Sequence, residues 1–437
     1  MGIYYKGRKI GYVVNSLVLE KDRYRLEERS YLKLKVMGEG RDATTLTNAL
    51  VESDFSLNSF DFQLKSGVIQ LDLQGQVKDK ELFLQIDSAG NRSEETILLK
   101  EIPRLPLGLD KYLIREGIEI GKKYFIPLFE PTSMSTREMT VEVLGEDEVD
   151  LDGKKIWTYK LKETFLELET ISWITAEGKI IREESPLGFV SMSEKREDAL
   201  SKGWEKGEEA DIIASTAIRV ETLINPKYLK YLKVKLKGIS LDSFLLKSPR
   251  QKIAGDYLEI RLEDMDSLRS YQLPNRGKEL KEFLEPSPLI QSDSKEILLK
   301  AKEILKGETD ALMVARKLGD WLYKNLGKKP TISIPSALAV LKAEEGDCNE
   351  HTALYTALSR AAGIPTKIDV GLVYMDGYFY YHAWPEVYLG QWVAIDPTLG
   401  QFPADVTHIK LLEGELEKWI EIMKIIGKVK IEILDYE

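Results

Sequence analysis

Residues 1–195 follow a two-residue rhythm. Leu32, Leu34 and Val36 alternate with Lys33 and Lys35; Ile69, Leu71 and Leu73 alternate with Gln70, Asp72 and Gln74; Met139, Val141 and Val143 repeat the pattern. A period of two sends alternate side chains to opposite faces of a strand, one set toward a core and one toward water. Turn-forming stretches such as "YKGRK", "QGQVKDK", "DGKK" and "AEGK" separate the runs. This predicts an antiparallel β-rich domain over 1–195, one or two sheets of consecutive hairpins without a strict repeat.

The rest of the chain changes character twice. The stretch "EKREDALSKGWEKGEE", around 195–210, is charged and poorly patterned, which suggests a short helix and a linker. Strands resume at Leu232, Val234 and Leu236 and again at Leu258, Ile260 and Leu262, and a polar stretch with Pro274, Pro286 and Pro288 follows. Residues 196–285 therefore read as a second β region and linker. From Ser292–Ser294 the period becomes helical. Leu298, Ala301, Ile304 and Leu305 make one stripe; Ala311, Val314, Ala315, Leu318, Trp321 and Leu322 make another, closed by Gly327. A short helix is expected over Ser336–Lys342, then strands from Thr366, Tyr378 and Gln391, and a last helix ending at Gly427 before the strand-like "VKIEIL". Helices before strands make 286–437 an α+β domain.

Charge excludes one class of partner. The net charge is −10 and the basic residues are scattered, which argues against a nucleic acid bound through its phosphates. No apolar run approaches the ~18 residues of a membrane span. The chain opens at "MGIYYKGRKIGY", almost inside a strand, so a signal or membrane anchor is expected ahead of it, and membrane contact only through that segment.

The chain has a single cysteine, Cys348, within "EEGDCNEHTAL". Internal disulfides are therefore excluded. Asp347 and Glu350 form a D-x-x-E capping box ahead of an apolar periodic run, with Leu354, Ala357, Leu358 and Ala361 as the buried face and Gly363 and Pro365 as the stop. Cys348 then lies in the first helical turn, where the macrodipole favours thiolate and the neighbouring carboxylates oppose it. A positive partner is needed, and histidine is the usual one. Of the three histidines, His382 sits in "GYFYYHAWPEVYLGQWVAIDPT". A hairpin turning near 389–390 brings it to Asp396 or within a few residues, and a carboxylate there fixes its tautomer. Nucleophile, base and orienter thus run Cys348, His382, Asp396.

Bland readings stand beside this one. Cys348 is also a plausible inert core thiol, His382 a core histidine, and Asp396 a turn residue before Pro397. Cys348 and His351 have C-x-x-H spacing, so zinc with His382 and Asp396 is an alternative. His351 reads more simply as a packing residue and His408 as structural. Trp384 and Trp392 fit either core or a substrate cleft.

The run "GDCNEHTALYTALSRAAGIPTKIDVGLVY" with "YYHAWPEVYLGQWVAIDPT" resembles the core of the transglutaminase-like superfamily. The resemblance is carried by Gly346 and Cys348, by Arg360–Pro365, by His382–Glu386 and by Trp392–Thr398 over roughly residues 335–400, and extends weakly through "GQFPADVTHIKLLEG". It implies a papain-like α+β catalytic domain over 286–437 preceded by a long β-rich region, as in prokaryotic members. It also implies a Cys-His-Asp triad, no cofactor, and acyl transfer on a protein, peptide or cell-wall peptide, with hydrolysis ahead of cross-linking. An extracytoplasmic setting, periplasmic or cell-surface, is implied as well. The competing expectation is a catalytically silent scaffold that binds a peptide or glycan.

Overall fold

The structure is a computed structural model. It describes residues 1–437 except 37, 68, 89, 202–210, 242–243, 245–247, 276, 330, 332–333 and 416–419. The expected linker falls mostly on 202–210, outside the described residues; the short helix before it is present as Arg196–Leu200. The chain divides into two compact units, Met1–Ile212 and Ile213–Glu437.

The first unit is one antiparallel sheet, fourteen-stranded among the described residues. Two runs of consecutive hairpins are joined where the first strand, Gly2–Tyr5, pairs with the last, Phe189–Met192. Three of the four expected turns are two-residue links: Tyr5 pairs with Arg8 across Lys6-Gly7, Lys78 with Glu81 across Asp79-Lys80, and Leu151 with Lys154 across Asp152-Gly153, while the "AEGK" turn is a longer link in which Thr175 N donates to Lys179 O. Between the two runs, helix Leu109–Glu116 lays Leu109 and Leu113 against Ile126, Leu128, Val141, Val143 and Leu161. Each of these strand residues comes from the inward set of the two-residue rhythm.

The second unit is α+β. Four helices are used below: α1 (Lys295–Leu305), α2 (Ala311–Asn325), α3 (Ala337–Ala343) and α4 (Cys348–Ala361). The central sheet contributes β1 (Thr366–Met375), β2 (Tyr378–Tyr388), β3 (Trp392–Ala394) and β4 (Ile409–Glu413). β1 lies between β2 and β4, and β3 pairs with β2, all antiparallel. A second sheet is built from Tyr231–Lys237, Gln251–Ala254, Tyr257–Arg261 and Lys430–Tyr436. Its Leu232, Val234, Leu236, Leu258 and Ile260 belong to the same core as α1–α4 and the central sheet.

Three local expectations need correction. Ile297, not Leu298, carries the α1 stripe: Ser294 caps the helix at Ile297 N, and Leu298 is 45% exposed. α4 is buried on every side from Glu350 to Arg360 rather than along one face, because it packs on α1, α2, α3, β1 and β2 at once. The last helix is, among the described residues, a 3-10 stretch, Ile420–Ile425; residues 416–419 lie outside them. Among the described residues, no helix is long and apolar enough to cross a membrane.

Candidate active site

α4 begins as its sequence dictates. The Asp347 carboxylate accepts from Asn349 N at 2.9 Å, and Glu350 reaches back to Asp347 N at 2.9 Å, a complete capping box. Gly346 makes room for it: a Cβ there would lie 2.2 Å from the Glu350 Cβ. Asp347 O also accepts from His351 N at 3.0 Å and from His351 Nδ1 at 2.8 Å. His351 therefore closes the first turn, and burial pushes its pKa down, keeping it neutral.

Cys348 is half-buried on that turn. Asn349 Oδ1 lies 3.9 Å from Sγ, and the Ala383 backbone N–H points at the sulfur. One turn on, the Thr352 hydroxyl donates to Ala383 O at 3.1 Å. The thiol thus meets β2 at the residue next to His382. Burial pushes the Cys348 pKa well up, and the Asp347 charge adds to this; the Ala383 N–H opposes them. Asp347 is itself raised well above the usual carboxylate range, by burial and then by Glu350.

His382 and Asp396 are in contact. His382 Nε2 donates to Asp396 Oδ2 at 2.7 Å, and Asp396 is fully buried. The hairpin turns near Leu389 as expected, with Glu386 opposite Ala394 and Tyr388 opposite Trp392. Asp396 lies beyond β3 in the following turn, where Oδ1 accepts from Thr398 N at 2.8 Å and Leu399 N at 2.9 Å. The neighbouring imidazoles hold its carboxyl far below the usual range despite burial. With Nε2 engaged, Nδ1 is the His382 nitrogen left to face a thiol. The structure brings His382 and Asp396 together and sets Cys348 beside Ala383. Among the described residues, no hydrogen bond joins Sγ to the His382 ring. Such bonds are often long before substrate binds.

Sequence reasoning missed one residue. His408, fully buried, donates through Nε2 to Asp396 Oδ2 at 3.0 Å. It arrives through sheet register: Gly371 on β1 lies opposite both His382 on β2 and Lys410 on β4. A Cβ at Gly371 would lie 1.9 Å from Ile409 O and 3.0 Å from the Trp384 ring, so only glycine lets these strands meet. The "H-I-K" run entering an apolar strand was the available signal. Spacing alone does not reveal it.

The zinc arrangement built on Cys348 and His351 does not form. Among the described residues, the ligand atoms of His382, Asp396 and His408 lie within 4.8 Å of one another, without Cys348 or His351. Both imidazoles spend Nε2 as a donor to Asp396, which is hydrogen-bond chemistry rather than metal ligation. Asp369, Glu386 and Glu413 also converge, but Lys410 Nζ sits among them at 2.7, 3.4 and 2.5 Å, and Lys367 Nζ binds Glu386 at 2.9 Å. This ionic knot ties β1, β2 and β4 together. Trp384 is 1% exposed and belongs to the core. Trp392 packs edge-on against Phe283 and Tyr388.

The comparisons bear on this region. Residues 300–397 match the family model "Transglutaminase-like superfamily". No curated protein matches the sequence. Among solved structures, a candidate cysteine protease from Cytophaga hutchinsonii is similar at 14% identity over 48% of this chain and 86% of its own, with a TM-score of 0.32. A candidate protease from Parabacteroides distasonis is similar at 12% identity over 91% of this chain and 71% of its own, with a TM-score of 0.21. The fold is mostly β, with a large antiparallel N-terminal sheet, and its C-terminal unit holds a transglutaminase-like region at residues 300–397.

Proposed function

We propose that the second unit performs thiol-dependent acyl transfer on amide bonds, with Cys348 as nucleophile, His382 as base and acid, and Asp396 as orienter. The family match supports a thiol-dependent enzyme. The observation that carries the reading is the 2.7 Å His382–Asp396 bond on the strand that the thiol helix touches.

In this mechanism His382 Nδ1 takes the Cys348 proton as Sγ bonds to the carbonyl carbon. The imidazolium then returns that proton to the amine nitrogen as the C–N bond breaks, leaving a thioester. Water, deprotonated by the same Nδ1, releases the acid and restores the thiol; a lysine amine in place of water gives a cross-link. Burial raises the Cys348 pKa, so removal of the thiol proton falls to His382. The Cys348 N–H, at the first helical position without an intrahelical acceptor, supports the developing oxyanion. Hydrolysis of a protein, peptide or cell-wall peptide is the favoured outcome.

A second reading is a silent peptide- or glycan-binding scaffold, favoured by the elevated thiol and by the Sγ contact to Asn349 Oδ1 at 3.9 Å. Cleavage of a peptide or cell-wall fragment library by the wild type and Cys348→Ala separates the two. Loss of cleavage in the variant supports catalysis; equal cleavage by both proteins excludes the thiol mechanism.

A further inference from the structure

Asp396 Oδ2 faces two imidazoles, His382 Nε2 at 2.7 Å and His408 Nε2 at 3.0 Å. A carboxylate oxygen only accepts, so both nitrogens carry protons. The other His408 nitrogen, Nδ1, lies 3.2 Å from Asp405 O and 3.3 Å from Asp405 Oδ1, again acceptors only. Both His408 nitrogens are therefore donors, and the ring is an imidazolium. We infer that His408 is a positively charged positioning residue that shares Asp396 with His382 and offsets the carboxylate's charge, so that Asp396 orients the His382 ring while giving less support to a positive charge on it.

The surroundings fit a permanent buried cation. Asp405 is fixed by Thr407 N at 2.8 Å, Thr407 Oγ1 at 2.6 Å and Gln401 Nε2 at 2.8 Å. The other charges on the packed elements have partners of their own. Arg250 Nη2 donates to Ala404 O at 2.7 Å and Asp405 O at 2.8 Å, with its Nε 3.6 Å from Glu263. Lys410 is held by Asp369, Glu386 and Glu413. Burial lowers the His408 pKa, but the hydrogen bonds to Asp396 and Asp405 outweigh it and hold it up at about 9.

The consequence falls on His382. Its ring centre is 5.7 Å from that of His408, so a His382 imidazolium forms beside an existing cation while sharing one carboxylate with it. A lone carboxylate stabilises an imidazolium; a carboxylate already paired with a cation does so far less. The orienting role of Asp396 is kept, and its pull on the proton is weakened.

This inference rests on the proposed triad but is tested without a substrate. The pH dependence of iodoacetamide alkylation at Cys348 is measured on the full-length wild type, His408→Gln and Asp405→Asn. Gln keeps a donor for Asp396 without the charge, and Asp405→Asn removes the carboxylate that holds the second proton. Both variants are expected to move the alkylation midpoint down by about one pH unit, roughly tenfold faster alkylation at pH 7. Unchanged or raised midpoints in folded variants overturn the inference. Nitrogen-15 histidine spectra of the wild type decide the matter independently if neither variant folds. Three imidazoles are present, and His408 is expected doubly protonated at pH 7.5; a neutral tautomer there refutes the assignment. Absence of amide cleavage alongside the predicted shifts removes the proposed reaction and leaves this inference standing.

Discussion

Asp396→Asn separates the orienting role of this carboxylate from its bulk. The aspartate accepts four hydrogen bonds: Oδ1 from Thr398 N and Leu399 N, and Oδ2 from His382 Nε2 and His408 Nε2. In the asparagine variant the carbonyl oxygen stays with the two backbone N–H groups. The new NH₂ then confronts two imidazole N–H groups. His382 escapes by moving its proton to Nδ1, the nitrogen that must receive the thiol proton, so the base is lost through the wrong tautomer. The expected fall in kcat is about 10³–10⁴, or roughly 4–5.5 kcal/mol of barrier. Two charge-assisted bonds also weaken, each worth about 1.5–3 kcal/mol. A net loss of about 3 kcal/mol lowers the Tm of a unit this size by roughly 6–12 °C. The assay pairs kcat for an amide substrate with thermal denaturation, the rates being taken well below both transitions. A folded Asp396→Asn protein with kcat within about threefold of wild type refutes the tautomer argument.

Two further perturbations probe the frame. Gly371→Ala drives a Cβ to 1.9 Å from Ile409 O, a backbone atom. It is expected to cost about 3 kcal/mol or more, and to lower the rate by shifting the loop that carries Asp396 and His408; an unchanged melting temperature argues against the β1–β4 register. In the first unit, burial and the nearby Glu163, Glu28 and Asp110 carboxyls raise Glu183 to about 7. A raised carboxyl binds more protons folded than unfolded, so its contribution is fullest below the unfolded value near 4.5 and is lost as pH rises through about 7. Glu183→Gln should therefore stabilise the first unit at pH 8 and leave it little changed at pH 4.5, as read by denaturation at both pH values; equal effects at the two pH values contradict this.

Much of this architecture was legible in the sequence because the signals are local. The two-residue rhythm and turns such as Lys6-Gly7 and Asp152-Gly153 specify hairpins whose strands are neighbours in the chain. Ser294 and the Asp347/Glu350 box mark helix starts through bonds within one turn. The Tyr388–Trp392 hairpin fixes how near His382 comes to Asp396. What escaped depends on distant partners. Lys430–Tyr436 pairs with Tyr231–Lys237, and no periodicity within either strand states that match. His408 reaches Asp396 only because β4 pairs with β1 opposite His382. The thiol's environment was also hidden, since the helix dipole is visible in sequence but the burial of α4 on every side from Glu350 to Arg360 is not.

The most direct test of the account is rapid-quench mass spectrometry of the intact protein during turnover of a peptide or cell-wall donor. A covalent acyl adduct on Cys348, discharged by hydroxylamine and lost in His382→Ala, is the predicted result. Turnover with Cys348 free of adduct at every time point, and undiminished in Cys348→Ala, would contradict it.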